Sequence, residues 1–130
     1  MTDALRTAIS GLNDSTLRVA NAISNMVNAS STGRIAPDGK NSAFQPLDVV
    51  ATPNAVGGVT SNLVPRSPAS FPVPDPHSPN ANAQGLVAAP NVDLVAETTA
   101  IITAQATYAA NAKVIRAVDE ANRKLLDTLA

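Results

Sequence analysis

Cysteine and tryptophan are absent, and Phe44, Phe71 and Tyr108 are the whole aromatic set. Without cysteine there is neither a disulfide nor a thiolate metal site. His77 is the only histidine, and no Asp or Glu cluster is spaced to hold a metal in its place. No GxGxxG or phosphate-binding loop occurs. Asp75 and His77 sit in a proline-rich stretch with no nucleophile elbow and no oxyanion donor. A catalytic reading therefore has no support, and no cofactor is expected. Net charge is −1, which leaves no basic surface for nucleic acid or for a charged membrane. A small-molecule substrate is not expected either. No uncharged apolar run is long enough to span a bilayer. No basic segment followed by an apolar run opens the sequence, so a cleaved Sec-type signal peptide is not expected.

What is present is distributed unevenly. The chain is 45% hydrophobic, but much of this is alanine, which buries little area, so a monomer's core is expected to be thin. All ten prolines lie between Pro37 and Pro90. This divides the chain into an N-terminal helix (1–33), a proline-rich middle segment (34–90) and a C-terminal helix (91–130). The expected fold class is mainly α, with long N- and C-terminal helices paired as a coiled coil and a Pro-rich, partly β or irregular middle segment.

The first helix is predicted from about Thr2 or Asp3 to about Ser31, with Thr2 as its N-cap and Gly33 as its C-terminal glycine. Leu5, Ile9, Leu12, Thr16, Val19, Ile23 and Met26 alternate spacings of four and three, a heptad seam. The second is predicted to start after Pro90, with Asn91 and Asp93 at its N-cap and Glu97 in its first turn. Its seam is Leu94, Thr98, Ile101, Gln105, Tyr108, Ala112 and Ile115. Between the helices, residues 44–51 and 56–64 are expected to form two short strands, and 65–79 an extended arm.

The faces opposite these seams are unusual. Asn21, Asn25 and Asn28 share one helical face, and no charge occurs from Val19 to Gly33. Another charge-free stretch runs from Thr98 to Ala112, with Thr99, Thr103, Ala106 and Ala110 on its outer side. A helix face open to water is normally charged. Amides, by contrast, donate and accept hydrogen bonds without the desolvation cost of a charge. The expected assembly interface is therefore Asn21, Asn25, Asn28, Ile23 and Met26 on the first helix. On the second it is Thr99, Thr103, Gln105, Ala106, Tyr108, Ala110 and Asn111.

Three blocks carry a resemblance. Residues 22–29, AISNMVNA, resemble the A-x-x-N-[LIM]-x-N-A signature of flagellar axial proteins. Residues 85–93, GLVAAPNVD, resemble the G-Y-V-x-x-P-N-V-D of FlgC-type flagellar basal-body rod proteins. Residues 104–115, AQATYAANAKVI, resemble that family's A-Q-R-x-Y-x-A-N-x-x-V-[IL]. Pro37-Asp38-Gly39, Gly57-Gly58-Val59 and the stretch at 75–79 fall in the expected order. Leu86 replaces the usual aromatic, Thr98 a Met, and Ala106 an Arg. The resemblance implies a structural subunit of the proximal rod that polymerises through its terminal helices into a tube. That tube transmits torque and encloses the export channel. Its implied partners are itself, other rod proteins, rod-to-membrane-ring junction proteins and the flagellar type III export apparatus. The implied location is the basal body's periplasmic rod. Two alternatives stay open: another rod or hook-family axial protein, and a soluble two-helix adaptor or secretion chaperone.

Overall fold

The computed structural model describes residues 2–36 and 42–129, so Pro37-Asp38-Gly39 lies outside the described residues. Helix α1 (Thr2–Val27) is followed by strands β1 (Leu47–Pro53), β2 (Val59–Pro65), β3 (Ser70–Pro74) and β4 (Leu86–Pro90), then helix α2 (Leu94–Leu129).

The expected fold class is overturned by the middle segment. It forms two antiparallel two-stranded sheets, β1–β2 and β3–β4, and contributes buried residues of its own. Val87 and Ala88 are among the most buried side chains in the molecule. The expected strands are also displaced. Leu47 pairs with Pro65 and Pro53 with Val59, while the supposed extended arm supplies β3. Pro72 and Pro74 sit on β3, which among the described residues pairs with β4 alone, and an edge strand tolerates their missing donors. The β1–β2 turn closes through Asn54 N–H to Gly58 O (3.0 Å), and Gly58 takes φ +82°, a conformation that favours glycine. Any side chain there would also run into Ser10.

Helix α1 stops at Val27, short of Ser31. Gly33 is not its cap. It forms a bridge with Ala88, N–H to O at 2.9 Å and O to N–H at 2.8 Å, so the chain leaving α1 is claimed by the second sheet.

The two helices run antiparallel: Gly11 lies against Asn111, and Asn25 against Glu97. Their contact does not follow the expected coiled-coil seams. The buried line on α1 is Ala8, Ser15, Ala22 and Asn25, and on α2 it is Glu97 and Ala104. On α1 this line keeps heptad spacing but is shifted by one residue from the seam of large apolar side chains. Small residues let the helix backbones approach closely. The larger side chains, Ile9 and Ile23 among them, are left half exposed.

Candidate functional site: two faces of the helix pair

One face of α1 is covered by the chain's own β1–β2 hairpin. Asn25 has no solvent exposure. Its Oδ1 accepts the Leu47 N–H (3.2 Å) and its Nδ2 donates to the Leu47 carbonyl (2.9 Å), so one amide serves strand β1 as a neighbouring strand would. The same Nδ2 reaches Glu97 Oε1 at 3.1 Å. Asn21 Nδ2 donates to the same Leu47 carbonyl at 2.7 Å. Further along, Asp14 Oδ1 accepts the Ser61 hydroxyl (2.6 Å) and Asp14 Oδ2 pairs with Arg18 (2.8 Å). Burial pushes the Asp14 carboxyl up, but the bonds from Arg18 and Ser61 outweigh it and hold it below its ordinary value.

Glu97 is buried because Arg66 comes to meet it. Arg66, at the end of β2, donates from Nη2 to Glu97 Oε1 (2.8 Å) and to Asp48 Oδ1 (2.7 Å), and from Nη1 to the Asn91 carbonyl (2.9 Å). One guanidinium thus joins β1, β2 and the entry to α2. Asp48, followed by Glu97, raises its pKa further against the opposing effect of burial. No buried side-chain polar atom lacks a partner among the described residues. Arg66 is the one charge between Asp48 and Asp75, and Glu97 the one between Asp93 and Lys113. Isolated charges beside charge-free stretches are the signal in the sequence for this pairing.

The expected interface residues divide between the two faces. Asn21 and Asn25 are committed to β1. Asn28 Nδ2 donates to the Ser24 carbonyl of its own helix (2.9 Å). Thr99 and Thr103 line a cleft of about 400 Å³ between the helices and the hairpin, each hydroxyl returned to the carbonyl four residues back. Asn111 likewise donates to Thr107 O (3.0 Å). Met26 is half-buried, while Ala106 and Ala110 are exposed. At the start of α2, the cap is Asp93, whose Oδ1 accepts the N–H groups of Val95 (2.8 Å) and Ala96 (3.2 Å). Asn91 is no part of this cap, because its Nδ2 turns to the Pro68 carbonyl (2.9 Å).

Ile23, Gln105 and Tyr108 belong to the other face. With Ser15, Thr16, Val19 and Ala20 they line an open groove of about 430 Å³ between the helices. Beyond it, further apolar side chains are exposed on both helices. On α1 they are Ile9 and Val27, the latter 76% exposed. On α2 they are Leu94 and Ile102, the latter 62% exposed. Exposed apolar side chains grouped on one helix pair make this face the candidate interaction surface.

The fold therefore puts its polar network inward against its own hairpin and leaves apolar side chains of both helices exposed. Residues 83–128, which take in β4 and α2, match the family described as flagellar basal body rod FlgEFG protein C-terminal. The match likens this segment to flagellar rod-family proteins and includes the blocks at 85–93 and 104–115. It does not single out the FlgC type. No curated protein matches the chain.

Proposed function

We propose that the chain is a structural, non-enzymatic subunit of the flagellar basal-body proximal rod, of FlgC type. It polymerises through its terminal helices into the tube that transmits torque and encloses the export channel. The observation that carries this reading is the uncovered apolar stripe of Ile9, Ile23 and Val27 on α1 with Leu94 and Tyr108 on α2. Such a stripe gains free energy when it is buried, at roughly 25 cal/mol per Å², and the chain leaves it open. The proposed assembly interface keeps Ile23, Gln105 and Tyr108 at its centre, with Met26 beside them and Ala106 and Ala110 on the outer side of α2. Its partners are further copies, other rod proteins, the proteins at the rod-to-ring junction and the flagellar type III export apparatus, which delivers it to the periplasmic rod.

The FlgEFG character of the matched segment favours one second reading, another rod or hook-family axial protein. Detergent-extracted basal bodies test both. The chain is expected to co-purify with them at the membrane-proximal end of the rod. Its presence only at the distal rod or hook would support the second reading. Its absence from the axial structure altogether would overturn both.

A further inference from the structure

The register of the helix pair leaves one end of α2 without a partner from α1. Gly11 meets Asn111 and Asn25 meets Glu97, fourteen residues apart on either helix. Continued at that register, Thr2 falls opposite Glu120. Residues 121–129 then stand beyond the start of α1 as roughly 13 Å of helix. This extension is amphipathic. Val118, Ala121, Leu125, Leu126 and Leu129 fall on one arc of the helix, with Leu126 67% and Leu129 86% exposed. Asp119, Glu120, Arg123, Lys124 and Asp127 fall on the opposite arc, where Arg123 and Asp119 pair at 2.9 Å.

The groove at Val19, Ile23 and Tyr108 is complementary to this extension. It has no charged lining residue, and its flanks are the charge-free stretches 19–33 and 98–112. It admits an uncharged helical arc and leaves that helix's charged arc in water. The extension cannot reach the groove of its own copy, because Gln105 and Tyr108 stand on the same continuous helix, roughly 30 Å away along its axis. A contact between unlike surfaces of two copies propagates into a filament unless its rotation closes a ring.

We propose that the α2 extension of one copy, led by Leu125, Leu126 and Leu129, docks in the α1–α2 groove of a second copy. This rests on the polymer reading above and specifies its repeating contact. The size of the groove fits that role. Seven residues line it, against about 20–30 per side in an interface that stands alone. One such contact is too small for a stable dimer. In a filament each copy makes it twice, once with its extension and once with its groove.

The absence of cysteine makes the test clean. Full-length Ile23→Cys and Leu126→Cys proteins are mixed, concentrated, oxidised and separated by sedimentation, with Thr60→Cys on the hairpin as the control partner. The proposal expects sedimenting polymer in which the Ile23–Leu126 disulfide exceeds the Thr60–Leu126 disulfide by roughly tenfold or more, because docking raises the local concentration of the pair. Polymer with no such excess overturns the proposed contact and leaves the rod reading standing. A chain that stays monomeric at every concentration overturns both.

Discussion

Asn25 Nδ2 donates to Glu97 Oε1 across 3.1 Å, joining α1 to α2 through a side chain with no solvent exposure. The same amide holds both polar backbone groups of Leu47. Asn25→Ala would leave the Leu47 N–H and one Glu97 bond unmade within a buried site. Stranding such groups costs about 1–3 kcal/mol. Thermal unfolding of the isolated chain should show this loss with no polymer present. Asn25→Lys should be worse, because the new charge sits beside covered backbone. An Asn25→Ala protein as stable as the parent would remove the amide from the hairpin's support.

Glu97 and Arg66 should behave as a coupled pair. Arg66→Ala strands a buried carboxylate and is expected to cost about 3–5 kcal/mol. Glu97→Gln keeps a side-chain oxygen for Asn25, and Arg66 retains Asp48, so its cost should be nearer 1.5–3 kcal/mol. The double variant should be more stable than the sum of the two losses implies. Denaturant unfolding of all four proteins closes the cycle, and strict additivity would mean the two side chains do not interact.

Acid should loosen the hairpin's grip on α1. The Asp14 carboxyl has a folded pKa below its ordinary value of 3.8, because the bonds from Arg18 and Ser61 outweigh burial. A group with a depressed folded pKa stabilises in full above its unfolded pKa, and that contribution fades as pH falls through the lower folded value. The loss therefore lies below about pH 4. Asp14→Asn should flatten the stability profile in that range and leave its shape at neutral pH unchanged. An identical acid slope in the variant would assign the acid sensitivity to other carboxylates.

Much of this was legible in the sequence, and the errors have physical causes. The proline-free ends did mark the two helices, because proline interrupts a helical hydrogen-bond ladder. Proline was a poor guide to the middle. Pro72 and Pro74 read as an extended arm, yet an edge strand of an antiparallel pair tolerates missing donors. The helix faces were the harder problem. Periodicity identifies a seam of large apolar residues, but it cannot say whether that seam meets the partner helix or the outside. Here Ala8, Ser15 and Ala22 meet the partner, and Ile23 looks outward. The amides at Asn21 and Asn25 did signal a covered face. What covers them is strand β1 of the same chain, a long-range pairing that no local pattern encodes.

The last prediction separates stability from assembly on the open face. Ile102 is largely exposed and Ile23 half exposed, so changing them removes only part of what the folded chain uses. Ile102→Ser should shift the stability of the isolated chain by no more than about 0.5 kcal/mol, and Ile23→Ser by about 1 kcal/mol. In an assembly the same side chains would be buried at every copy. Burying an aliphatic side chain of this size is worth about 1.5–3 kcal/mol, so each variant loses up to that amount at every repeated contact. Polymerisation is therefore expected to need a concentration higher by one to two factors of roughly ten, and swimming in soft agar should fall accordingly. Asn25→Ala should show the opposite balance, a large loss in the isolated chain for its effect on assembly. If the serine variants unfold as readily as Asn25→Ala, the apolar stripe supports the fold and is not an assembly surface. If they are stable and assemble at the parent's concentration, the stripe faces water in the polymer as well.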